Sequence, residues 1–146
     1  MKSTDRVRAN TSEEINRQID REINVRVKEY AKRSPEDITR RIDELDREWD
    51  IERVLETNAS ALAFTGLFLG VTKNIKWLML PAVVLPFLFQ HAVQGWCPPM
   101  PILRRLGVRT RNEIDREKYA LKVLRGDFNK TESLPRDEAA LKAVKL

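Results

Sequence analysis

Cysteine is almost missing from this chain of 146 residues, where Cys97 stands alone. One thiol excludes an intrachain disulfide and any metal cluster built on several cysteines. No apolar run follows Met1-Lys2-Ser3-Thr4-Asp5-Arg6, so a secretory signal peptide is not expected there. Internal repeats and low-complexity runs are absent too. One long stretch also lacks charge. Between Ala59 and Cys97 the only charged side chains are Lys73 and Lys76. Outside that window Arg, Lys, Asp and Glu are dense. The 34% charged residues and the negative mean hydropathy therefore average an oil-like segment with two charged arms.

The net charge is +5. In the arms acids and bases are interleaved, as in Arg17-Gln18-Ile19-Asp20-Arg21-Glu22. That is the pattern of a solvated helix face rather than of a phosphate-binding stripe, and no nucleic-acid partner is expected. Residues 1–10 are polar and aperiodic and read as frayed. Thr11 and Glu14 have capping-box spacing, which predicts a helix from about Ser12. Ile15, Ile19, Ile23, Val27 and Tyr30 then draw one narrow apolar stripe. Ser34 suits an N-cap and Pro35 the first helical position. A second stripe, Ile38, Ile42, Leu45 and Trp49, runs on toward Ile51, Val54 and Leu55 with no breaker in view. The stripes are too narrow to bury a large core alone. Docking on a membrane surface, on each other or on a partner is open to them.

Two apolar segments follow, Val54–Thr72 and Trp77–Trp96. Nineteen helical residues span about 28 Å, close to the ~30 Å hydrocarbon core of a bilayer. The first segment reaches that length only if Glu56 and Asn58 lie near the interface. The second carries no formal charge and has a Trp at each end, where hydrocarbon meets headgroups. Pro81 and Pro86 predict a bend, and Cys97-Pro98-Pro99-Met100-Pro101 a stop. Lys73-Asn74-Ile75-Lys76 is too short a link for anything but antiparallel neighbours. Arginines at 40, 41, 47, 53, 104, 105, 109 and 111 flank the pair, against two lysines in the turn. The positive-inside bias puts both termini in the cytoplasm. After the pair, a helix is predicted from about Arg111 to Arg125, ended by Gly126. Pro135 is placed at the start of one last short helix.

The reading is therefore all-α: a two-helix transmembrane hairpin at 54–107, with its Pro-rich exit, between an N-terminal amphipathic arm at 1–53 and a charged helical tail at 108–146. The alternative is a soluble helical bundle that buries both apolar segments. Ala59, Ala63, Gly66 and Gly70 form a small-residue stripe, to be met within the hairpin or by a second copy. Glu56, Asn58, His91 and Gln94 lie at similar depths. They are expected to form a hydrogen-bonded clip, with a proton relay or a ligand site as the sharper alternative. Cys97 beside them is open to acylation, to an intermolecular disulfide or to thiol chemistry, or is a small apolar side chain.

Trp49-Asp50-Ile51-Glu52-Arg53, then Gln94-Gly95-Trp96-Cys97-Pro98-Pro99, Leu103 and Leu106-Gly107 together resemble the YgaP-like transmembrane family. The resemblance spans Trp49 to Gly107, and Gly95-Trp96-Cys97-Pro98 is its most specific element. It implies a bacterial inner-membrane helix pair that self-associates. Some relatives carry a rhodanese domain, for which this chain has no room. Taken together, these features lead us to expect a non-enzymatic accessory or interaction protein of the inner membrane, needing no cofactor or metal. Its expected partners are the lipid bilayer and a second copy or a membrane complex. The alternative is a thiol-dependent component in sulfur or redox handling that uses Cys97.

Overall fold

The computed structural model describes residues 5–128. Among them 79% are helical and none lies in a strand. The helices are α1 (Arg6–Ala9), α2 (Glu13–Tyr30), α3 (Pro35–Arg47), α4 (Ile51–Thr72), α5 (Met79–Gln94), α6 (Met100–Arg105) and α7 (Arg111–Arg125), with a 3-10 turn at Ile75–Leu78 before α5. The helix proposed at Pro135 lies outside the described residues.

Local chemistry explains most of the boundaries. Ser34 Oγ accepts from the Asp37 N–H at 3.2 Å and opens α3, with Pro35 in its first turn. α7 ends in a Schellman arrangement. Gly126 takes φ 82°, and the Gly126 and Asp127 N–H groups donate back to Val123 O and Lys122 O. Two expectations are corrected here. Residues 6–9 are helical rather than frayed, because the Asp5 carboxylate caps the Arg8 N–H and Val7 is buried. The second stripe does not run unbroken into the apolar segment either. α3 ends at Arg47, and Asp50 caps a new helix by accepting from the Arg53 N–H at 2.8 Å.

The chain divides into two compact units, each built from segments distant in sequence, whereas the sequence divides it in linear order. The boundary near Ile19 falls inside α2. The first unit comprises residues 5–19 and Trp49–Arg111. α4 has 22 residues, and α5 with its 3-10 turn has 20, so each is roughly 32 Å long. Both are long and apolar enough to cross a membrane. Gly66 and Gly70 set the contact between them. A Cβ built on Gly66 would overlap Pro81 Cδ and Leu80 Cβ, and one on Gly70 would overlap the Leu78 side chain. The glycine part of the stripe thus meets the other helix of the same pair. Ala59 and Ala63 are half-buried.

The two helices are not the core of this unit. Of their most apolar 18-residue windows only 11% and 6% is buried, and Phe64, Val71, Met79 and Phe89 are each more than two-thirds exposed. The described residues therefore do not cover the two segments as a soluble bundle would. The core of the unit sits instead at the end of the pair opposite the turn. There Val7, Ile51, Leu55, Cys97 and Met100 pack together, with Leu103 and Val108 against them. Burying a side chain of this size is worth about 1.5–3 kcal/mol. Polar bonds close the same region. Thr110 Oγ1 donates to Asp5 Oδ2 at 2.6 Å, and the Ile51 N–H donates to Arg109 O at 2.9 Å. Arg104, 1% exposed, donates to Val108 O and to Asn16 Oδ1.

The second unit comprises Asp20–Glu48 and residues 112–128. The stripe residues Ile38, Ile42 and Leu45 of α3 pack on Ile114 and Leu121 of α7, with Tyr30 against them. These two stripes bury each other. On its polar side the unit is held in part by a buried acid. Glu117, 0% exposed, accepts from Arg41 at 3.0 Å and from Arg26 Nε at 3.2 Å. Lys118 pairs with Asp46, and Arg116 with Asp20.

Candidate functional site

The side chains able to do chemistry in the apolar pair gather at the end opposite its turn. α4 starts there with Asp50 as its cap, and α5 stops there at Gly95. Gly95 has φ 73° and lies against α1, where a Cβ would overlap Arg6 Cβ and its backbone carbon. A side chain there would push α1 away. α1 itself closes the end of α5. Arg6 donates to Ala92 O and Val93 O, and Asn10 Nδ2 donates to Gln94 O at 2.9 Å. These are carbonyls that a helix C-terminus leaves without intrahelical partners, and a cation near them is favoured by the helix dipole.

Two cavities flank the seam between α4 and α5, and His91 and Leu88 line both. One is polar, about 440 Å³, lined by Glu52, Glu56 and Ser60 of α4, by His91 of α5 and by Arg6 of α1. The other is mostly apolar, about 400 Å³, lined by Leu55, Ala59, Leu62, Val84, Phe87 and Leu103, and also by Asn58 and Cys97. His91 is 7% exposed, and its Nδ1 is buried without a hydrogen-bond partner.

The expected clip of Glu56, Asn58, His91 and Gln94 does not form, since no hydrogen bond joins the two helices through these side chains. Glu56 and His91 do share the polar cavity. Asn58 turns the other way and donates to Val54 O of its own helix at 2.7 Å. Gln94 is exposed and accepts from Gln90. The physical reason is azimuth. Residues two apart on a helix point about 200° from each other, so Glu56 and Asn58 cannot serve one site even at similar depth. The same geometry joins Glu52, Glu56 and Ser60, spaced by four, on one face. That signal stood in the sequence. Arg6 had none, because only the fold brings α1 to the end of α5.

Cys97 is 3% exposed and belongs to the core cluster. Burial pushes its thiol up, against a smaller opposing pull from the Met100 N–H. A buried thiol in apolar surroundings is poorly reactive. Trp77 and Trp96, at the two ends of the second apolar segment, are 46% and 36% exposed. Trp49, in the break before α4, is covered on one face by the Arg53 guanidinium, 4.4 Å from the ring centroid. Among the described residues no three His, Cys, Asp or Glu side chains converge as a metal site would require.

Compared with family models, curated proteins and solved structures, the chain matches none.

Proposed function

We propose that this protein is a non-enzymatic component of the inner membrane, with α4 and α5 as a transmembrane hairpin and the remaining helices in the cytoplasm. The observation that carries this reading is the exposure of the pair. Two helices of membrane-spanning length pack on each other through Gly66 and Gly70 and leave their Phe, Leu and Val side chains outward. In water so large a contiguous apolar surface would drive association. In lipid it is the ordinary outer face of a helix pair.

The charges support an orientation. Lys73 and Lys76 flank the turn, while arginines are dense in the sequence before and after the pair, so in this reading the termini face the cytoplasm and the turn faces outward. The two exposed Trp rings of the second helix then fall at the two interfaces. The resemblance to the YgaP-like transmembrane family over Trp49–Gly107 belongs to the same proposal. The charged surfaces of the cytoplasmic helices are offered to a partner protein, which makes the chain an accessory or interaction module. Membrane fractionation tests the reading. The protein is expected in the membrane pellet after an alkaline carbonate wash and is released only by detergent. Recovery in the soluble fraction without detergent overturns it.

A further inference from the structure

The polar cavity beside His91 carries more acceptors than the chain itself uses. Glu52 and Glu56 stand four residues apart on one face of α4, and like charges at that spacing weaken a helix rather than support it. Neither carboxylate has an ion-pair or hydrogen-bond partner among the described residues. Arg6 is the cation of the lining, and its guanidinium is engaged with Ala92 O and Val93 O. The wall thus sets two negative charges against one positive. His91 lines the same cavity, more than nine-tenths buried, with Nδ1 lacking a partner. Buried polar nitrogens are normally hydrogen-bonded, so an orphaned one calls for an explanation. A bare metal ion does not supply it, because the acidic and imidazole groups do not converge as metal ligands. The cavity, about 440 Å³, is large beside the roughly 30 Å³ a water occupies, and Leu88 and Ala92 give it an apolar wall. The group that fits is a cation with several N–H donors on a short carbon stem.

We propose that this cavity binds a primary ammonium group, carried by a small alkylamine or by the ethanolamine headgroup of a lipid. One of the two carboxylates accepts an N–H, the other adds negative charge to the same wall, and the His91 imidazole accepts a second N–H. With its proton on Nε2, the imidazole keeps Nδ1 as an acceptor, and a turn about its Cβ–Cγ bond presents that nitrogen to the cavity it already lines. Ser60 and the Leu88 side chain contact the carbon stem. The free-amine form of the proposal does not require the chain to span a membrane, so its outcome is separate from that of the reading above.

His91 is the single histidine, so labelling histidine ring nitrogens with ¹⁵N gives one imidazole reporter in the full chain. The detergent-solubilised protein is titrated with ethylammonium chloride and, at matched ionic strength, with tetramethylammonium chloride, which has the same charge and no N–H. A saturable shift of the imidazole signals with ethylammonium alone is expected. Glu56→Gln and Glu52→Gln should each weaken it tenfold or more while Cys97 stays protected from alkylation, which shows that the unit is still folded. In bilayer discs without added amine, the same shift in phosphatidylethanolamine but not phosphatidylcholine assigns the lipid headgroup. A shift that appears only on adding ethylammonium assigns a free amine. No saturable shift from either source, an equal response to both cations, or wild-type binding by Glu56→Gln overturns the proposal.

Discussion

Adding one methyl group at Gly66 tests the contact on which the apolar pair depends. In Gly66→Ala the new Cβ overlaps Pro81 Cδ and lies 2.9 Å from Leu80 Cβ and 3.1 Å from Trp77 O. The first belongs to a rigid ring and the last to backbone, so neither can swing aside. Overpacking of this kind costs about 1–3 kcal/mol. Replacing glycine by alanine inside a helix returns about 1 kcal/mol of propensity. Gly70→Ala supplies the internal control, because its Cβ meets mainly the Leu78 side chain, which can change rotamer. Both variants gain the same propensity, so their difference isolates the contact. Gly66→Ala is expected to be less stable than Gly70→Ala by about 1–2 kcal/mol. The assay is unfolding in mixed micelles by rising dodecyl sulfate, followed by tryptophan fluorescence in a Trp49→Phe, Trp96→Phe background that leaves Trp77 at the contact as the reporter. Equal losses in the two variants, or a Gly66→Ala protein more stable than wild type, would refute the packing described.

The second unit makes its own predictions. Glu117→Gln removes the carboxylate that holds Arg26 and Arg41. It should cost about 3 kcal/mol, the lower end for a broken buried pair because both arginines are partly exposed, and faster amide exchange in α3 and α7 measures it. The Lys122 ammonium is pulled below the ordinary lysine value, first by burial and then by Lys118. The folded chain therefore releases this proton before the unfolded chain does. Between the two pKa values the unfolded state binds more protons, so stability rises with pH across that alkaline window. Lys122→Met should flatten that rise, and a slope unchanged in denaturant titrations at a series of pH values would count against it. In the first unit, Cys97 should react with iodoacetamide at neutral pH far more slowly than a free thiol, and at a normal rate once unfolded. Fast labelling of the folded protein would revive the thiol-dependent reading.

Much of the helical content could be read from local signals. Ser34-Pro35 and Gly126 mark helix ends through bonds within a few residues of themselves, so the chain reads the same before and after folding. The glycine pair marked a close approach for the same reason, since only a residue without a Cβ allows it. The break at Asp50 was as local, an N-cap three residues before Arg53, but the continuing apolar stripe hid it. The clip of four polar residues failed because depth along a helix was weighed and direction around it was not. Spacing by four would have separated Glu56 from Asn58 and joined it to Glu52 and Ser60.

By itself, then, the sequence determined that the chain is helical, that two of its helices are apolar and long, and that charge is withheld from them. These follow from periodicity, caps and composition, which act over a few residues. Only the tertiary structure decided that α1 closes the end of α5, that the stripes of α3 and α7 bury each other, and that Arg6, Glu52, Glu56 and His91 line one cavity. Those outcomes rest on contacts between residues as many as 105 positions apart, as Thr110 with Asp5, and 86 apart for Arg6 with Ala92. No local propensity encodes such pairings. They form because folding buries apolar side chains and must satisfy each polar group it takes from water.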